Sequence, residues 1–290
     1  MIFWFCLPAL LSLMLMFVYP VCRTVLMSFF QVESVTASMS DWSFYGLGNY
    51  TKIFGSASFL TSMRNMLLIW LVGGVFTLVL AMLMAVIVTS GIRGKKFFRA
   101  AIYMPNIISA VALATMWIQY IFNYDYGMLN EIVQFFGGDK VKWLGTDLKF
   151  WAMTGSFVFG SVGYYMLIYI SGIEGIPKDL YEAATIDGAG KVHQFTHITL
   201  PLVQPAIITV TIFNFMSVWN EFFMALIFTS SESMAPVGVG LLNIINSMKY
   251  TGQYGGMFAA VIIVFLPTFL LYIFMSEKII AGVTGGGVKG

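Results

Sequence analysis

The stretch Tyr181–Pro205, YEAATIDGAGKVHQFTHITLPLVQP, is the longest polar interruption between two apolar runs on one side of the chain, and its reading decides the rest. Leu180, Ala183, Ala184 and Ile186 fall on one helical patch. Val192, Phe195 and Ile198 recur at a spacing of three and form a second. Between them Asp187-Gly188 marks a break, since glycine allows a chain reversal that a larger residue resists. Thr199-Leu200-Pro201 is expected to stop the second helix and direct the chain onward. Glu182 and Asp187 mark the polar side of the first piece. The bland reading is a loop lying on lipid headgroups. The pattern suits a compact helical knob that inserts into a cleft on a soluble partner.

The surroundings of this stretch are membrane-like. Hydrophobic residues make up 59% of the chain and charged residues 10%, with mean hydropathy +0.86. Soluble domains carry roughly 25% charged residues. A bilayer core about 30 Å thick needs around 20 apolar residues per helix. Six runs meet that standard: residues 2–30, 66–88, 100–122, 151–173, 206–228 and 255–275. They are continuous and do not alternate, which excludes a β-barrel. The expected fold is therefore an all-α integral membrane protein of six transmembrane helices in one domain, with residues 174–205 as an inner loop. The first run lacks a basic flank and a small-residue cleavage site, and reads as a retained helix rather than a signal peptide.

Lysine and arginine in the loops set the orientation. Arg93, Lys95, Lys96 and Arg99 crowd the short loop after the second run, and Lys178, Lys191, Lys278 and Lys289 share its side. Against these eight stand six on the longer loops: Lys52, Arg64, Lys140, Lys142, Lys149 and Lys249. Both termini and the Tyr181–Pro205 stretch are thus expected on the cytoplasmic side.

Several chemistries find no footing. A net charge of +2, spread between apolar runs, argues against a nucleic-acid partner. Cys6 and Cys22, sixteen residues apart on one run, sit roughly 24 Å apart on a helix and cannot bridge. His193 and His197 stand at i, i+4, but no Glu follows His193 and no third ligand is evident, so no metal site is read. Gly188-Ala189-Gly190-Lys191 lacks the Ser/Thr and the earlier glycine of a phosphate loop. With both histidines in the loop, a membrane-embedded enzyme has nothing to be built from.

Polar groups inside apolar runs are candidates for a substrate path, because ionisable residues at membrane depth usually face a cavity or a partner. Trp219-Asn220-Glu221 interrupts the fifth run. Glu221 either lines a path or gate, or anchors or breaks the helix near the interface. Asn214, deeper in the same run, shares that ambiguity. Tyr164 and Tyr165 on the fourth run can stack against a sugar ring, or simply pack. Asn106, after Pro105, is expected to cap or bond locally, and Gly155, Gly160, Gly163 and Gly172 suggest close helix contact.

Glu182-Ala183-Ala184, Asp187-Gly188-Ala189, Phe195, Ile198 and Leu200-Pro201 together resemble the "EAA" signature of permeases from binding-protein-dependent ABC importers. Gly48-Asn49-Tyr50, Met104-Pro105, the run Asn123-Tyr124-Asp125-Tyr126-Gly127 with Leu129-Asn130, Trp143-Leu144-Gly145 and Ile176-Pro177 are similar to the maltose-type carbohydrate permease family. The resemblance covers almost the whole chain. Asn123–Asn130 is more similar to the first permease of maltose-type pairs. The tail Gly282–Gly290 and Trp219–Phe222 are more similar to the second. The resemblance implies a type I importer permease of a prokaryotic inner membrane, paired with a second related permease. It implies two cytoplasmic ATPases that use ATP and magnesium beneath it, and an extracytoplasmic solute-binding protein above. On that reading this chain binds no cofactor and is not itself an enzyme. The signature loop would be the coupling helices, and the cargo a carbohydrate such as an oligosaccharide or glycoside. The rival is an ion-coupled secondary carrier, which wants buried carboxylates near the midplane; Glu221 is the candidate the sequence offers it.

Overall fold

The computed structural model describes residues 2–229 and 231–285; within these, the side chains of 2–4 and 279–285 are left aside. The tail beyond Gly285, including Lys289, lies outside the described residues. In chain order the helices are α1 Phe5–Met27, α2 Gly48–Phe54, α3 Ala57–Thr89, α4 Lys95–Ile107, α5 Ala110–Ile121 and α6 Met128–Phe135. There follow α7 Lys149–Glu174, α8 Lys178–Ile186, α9 Lys191–Leu202, α10 Gln204–Trp219, α11 Phe223–Phe228, α12 Val237–Tyr250 and α13 Tyr254–Gly285. Among the described residues the strand structure is a two-residue antiparallel pairing, β1 Phe30–Gln31 with β2 Ser43–Phe44, which closes the loop after α1.

Long apolar helices form at α1, α3, α7 and α13. The third and fifth apolar runs are not single rods. α4 and α5 bend by 99° at Ile108–Ser109, and α10 ends at Trp219 before α11 begins. Pro105 foreshadows the first break but is not its site. The turn comes after Ile107, where Ser109 takes an extended conformation and its Oγ accepts the Ala112 N–H at 3.3 Å as an N-cap. α3 starts well before the apolar run beginning at residue 66, because Phe59 and Ser62 are buried against protein, a contact that composition does not register.

The chain divides into two compact units, with boundaries inside α3 and α13. The first, residues 1–64 and 235–270, has a core of Ile53, Phe59, Ile244, Ala259 and Ala260. Asn49 holds it together: its buried Nδ2 donates to the carbonyls of Ser28 and Phe30, both at 2.9 Å. None of the most apolar stretch of α1 is buried within the chain.

The second unit, residues 65–234 and 271–290, is organised on α7. Ala81, Ala85 and Val88 of α3 meet Val158, Val162, Met166 and Ile170 of α7, and Val203 and Val210 join from the α10 side. On its outer side α3 leaves Val75, Phe76, Val79, Leu83 and Ile87 exposed as an apolar stripe. Hydroxyls within the apolar helices turn back onto their own backbone: Thr77 onto Gly73 O at 2.8 Å, Ser156 onto Ala152 O at 2.9 Å and Thr209 onto Pro205 O at 3.0 Å. α4 crosses α7 at Gly163, where an added Cβ would stand 2.6 Å from Tyr103 Cα. At the far end of α7, Arg99 pairs with Glu174.

Backbone cannot give way as a side-chain tip can, so the α4–α7 crossing requires glycine. Gly163→Ala is expected to lower stability by about 1–3 kcal/mol through overpacking. Gly155→Ala on the same helix, where nothing lies within 4 Å, should be neutral or stabilising, since alanine gains up to about 1 kcal/mol over glycine in a helix. Thermal unfolding of the two variants in one detergent checks the contrast.

Candidate functional site

Two places in the second unit gather polar chemistry, and α7 links them. At its C-terminal end lies the Tyr181–Pro205 stretch. α8 ends in a Schellman motif: Gly188 takes φ +80°, its N–H reaches Thr185 O at 3.1 Å, and the Ala189 N–H reaches Ala184 O at 2.8 Å. The left-handed residue reverses the chain, and Gly190 leads into α9. Gln194 is buried, and its Nε2 donates to Thr185 Oγ1 at 2.9 Å and Ala189 O at 3.1 Å. One amide thereby fixes α9 to both α8 and the turn. The Tyr181 hydroxyl, 3.0 Å from Thr199 Oγ1, closes the other end of the pair.

The apolar residues of α9 do not share a face. Phe195 and Ile198 pack against the core around α7, while Val192 points outward at 78% exposure. Val192 stands in the α-wound first turn of α9, which the core does not cover, and the more loosely wound π-turn over Phe195–Thr199 follows it. Nor does Pro201 stop α9. Leu200 N–H bonds Phe195 O, α-type bonding returns with Val203 N–H on Thr199 O at 2.9 Å, and the bend of 68° comes between Leu202 and Gln204. Ile186, at 86% exposure, and Val192 are thus the apolar tips of a rigid hairpin, with Glu182, Ala183, Asp187 and Gly188 also on its exposed side and Ala184 partly covered. Pro201 is exposed and Leu200 half-buried. His193 and His197 stack at 4.0 Å between ring centroids on the solvent side, with His197 Nδ1 2.8 Å from Thr196 Oγ1.

The second place is a cavity of about 330 Å³ between α4, α7 and α10, lined by Asn106, Ser161, Tyr164, Tyr165, Phe213, Met216 and Ser217. Tyr164 offers its ring partly open, whereas Tyr165 is buried and its hydroxyl faces the Ser217 and Asn214 side chains. Asn106 Nδ2 lies 3.4 Å from Gly160 O, so it bonds across to α7 rather than capping its own helix. Asn214 is fully buried with its amide oxygen against Gly74, beside the cavity and not in its wall.

The other candidates of the fifth run stand elsewhere. Trp219 is buried and stacks on Phe215, with ring centroids 5.4 Å apart, and Trp70 meets Phe215 edge-on. Asn220 turns back to Met216 O at 2.8 Å. Glu221 Oε1 accepts the Met224 N–H at 2.7 Å and so caps α11 after the helix break. Sequence reasoning overlooked Ser161, Phe213, Met216 and Ser217. Their signal was spacing: Ser161, Tyr164 and Tyr165, like Phe213, Met216 and Ser217, stand at i, i+3, i+4 and share a helix face.

Residues 66–276 match the family described as "Binding-protein-dependent transport system inner membrane component". The probable ABC transporter permease protein YurN of Bacillus subtilis is 33% identical over 75% of this chain and 75% of its own length. The trehalose/maltose transport system permease protein MalF of Thermococcus litoralis is 30% identical over 71% of this chain and 69% of its own. Among solved structures, a bacterial alginate ABC transporter in complex with alginate pentasaccharide-bound periplasmic protein contains a chain of like fold. It has a TM-score of 0.75 and 21% identity, covering 96% of this chain and 94% of that one. By the extent of the family match and by its relatives, the chain belongs to the inner-membrane permeases of binding-protein-dependent transport systems.

Proposed function

We propose that the chain forms half of a transmembrane pathway for a carbohydrate, an oligosaccharide or glycoside, in an ATP-driven importer. The curated relatives that carry a substrate in their names support the cargo class: one is a trehalose/maltose permease and another an arabinooligosaccharides permease. A second, related permease completes the pathway, two cytoplasmic ATPases bind beneath it, and ATP with magnesium is used there. The solute-binding protein delivers cargo at the opposite face. Both termini lie on the ATPase side. The family match favours this reading over an ion-coupled carrier.

The observation that carries the proposal is the welded hairpin α8–α9. An element that only lay on headgroups would need no buried amide between its helices, whereas one that transmits force does. Gln194 fixes the hairpin internally, and Phe195 and Ile198 root it in the core that α7 shares with α3 and α10. Movement imposed on Ile186, Val192 and the exposed Glu182–Gly188 edge therefore reaches the helices around the cavity without being absorbed in a loop. Closure of the ATPases then biases the bundle between its two openings.

In the cavity Tyr164 offers an aromatic face suited to the C–H side of a saccharide, and Ser161, Ser217 and Asn106 offer partners for hydroxyls. Tyr165 forms part of that wall, and Asn214 braces it from behind. Trp219, Asn220 and Glu221 set the helix break beyond it and shape the path rather than line it.

Tyr164→Ala is expected to reduce substrate uptake by up to about tenfold, the order of one lost aromatic contact of about 1.5 kcal/mol, while binding-protein-stimulated ATP hydrolysis persists. Uptake unchanged in Tyr164→Ala and in Ser217→Ala would refute this cavity as the path. For the hairpin, Gly188→Asn should retain coupled transport because Asn tolerates the left-handed conformation, whereas Gly188→Val should lose it. Uptake and hydrolysis measured together in proteoliposomes separate the two.

A further inference from the structure

We propose that α6 is an interfacial anchor that lies in the lipid–water boundary at the end of the bundle opposite the α8–α9 hairpin. α6 and the hairpin stand at the two ends of α7, whose 26 residues span about 39 Å.

At about 100° per residue, the side chains of α6 sort into three groups roughly 120° apart. Asn130 is buried, and Leu129 and Val133 beside it are partly covered by the protein. Glu131 and Gln134 form an exposed polar face. Met128, Ile132 and Phe135, with Phe136 just past the helix end, form an exposed apolar one, and the two phenylalanines are 84% and 81% exposed. A helix on a soluble surface needs two faces, one for protein and one for water. The third, apolar face is what a helix needs where protein, water and lipid meet.

The attachment of α6 is rigid. Asn130 Nδ2 donates to Tyr124 O at 3.1 Å and Val141 O at 3.0 Å, and its Oδ1 accepts from Val141 N–H at 2.9 Å and Trp143 Nε1 at 3.0 Å. Asn123 Oδ1 tightens the approach by accepting the Asp125 N–H at 2.9 Å. The orientation of the apolar face is therefore set by the loop and is not free to turn inward.

Lipid, rather than a soluble partner, is the occupant because the face continues an exposed apolar surface on helices of the third and fourth apolar runs. Tyr120 at the end of α5 and Trp151 at the start of α7 are 66% and 47% exposed, and Val111 and Phe159 extend that surface along both helices. Six residues join α5 to α6, which even fully extended reach only about 20 Å, and the Asn123 turn shortens that. α6 is thus held at the level where the chain leaves and re-enters the bilayer, the level that aromatic side chains favour.

The test places a nitroxide at one position at a time, on the chain with Cys6 and Cys22 replaced by serine, in the assembled transporter reconstituted in phospholipid bilayers. Positions 132 and 135 report the apolar face, and 131 and 134 the polar one. Collision with molecular oxygen should exceed collision with a water-soluble nickel chelate at Ile132→Cys and Phe135→Cys, and the ratio should invert at Glu131→Cys and Gln134→Cys. The two apolar-face positions are read independently, so loss of one labelled chain leaves the other. A ratio favouring the nickel chelate on all four positions would overturn the proposal. So would exclusion of both reagents at 132 and 135, which would mean that the second permease or the binding protein covers the face.

Discussion

A single buried amide, Gln194, holds the membrane-end hairpin together. It spends both protons of its nitrogen on α8 and on the turn, so that two short helices behave as one body. Neither helix would be stable alone at this length, since isolated helices below about 12–15 residues are marginal in water. Their order comes from this clamp, from the Schellman turn at Gly188 and from the packing of Phe195 and Ile198 under α7. Ile186 and Val192 stand as exposed apolar tips on this rigid body.

The hairpin matters because of what it is rooted in. α7 is at once the core of the second unit, one wall of the cavity and the lead-in to the hairpin. Its tight crossing with α4 at Gly163 brings Asn106 over Ser161 and Tyr164, and α10 closes the other side with Phe213, Met216 and Ser217. A tilt of α7 cannot occur without reshaping that cavity. The Arg99–Glu174 pair ties α4 to the same end of α7 from which the hairpin springs, so the two walls move from a common base.

Much of this was legible in the residues. The six apolar runs, the helix–Gly–helix form of the Tyr181–Pro205 stretch and the aromatic pair Tyr164–Tyr165 could all be read from composition and spacing. What escaped reading had local physical causes. Val192 and Phe195 read as one apolar face, but the core reaches Phe195 and Ile198 and leaves Val192, in the first turn of α9, uncovered. Gln194 was not singled out, because burial of a glutamine depends on acceptors that the folded turn and α8 bring to it. Glu221 carried two readings, a path residue or an anchor or helix break near the interface, and it stands at the break, accepting the backbone N–H of Met224. The third run read as one continuous helix, and the extended conformation at Ser109 is what divides it.

The account stands or falls on whether the hairpin transmits force as a rigid piece. The direct measurement is the ratio of ATP hydrolysed to substrate imported by the reconstituted transporter carrying Gln194→Ala. The account predicts that import falls while hydrolysis continues, so that the ratio rises several-fold, because the ATPases still close but the hairpin yields between them and α7. An unchanged ratio, with the variant assembled in normal amount, would contradict it.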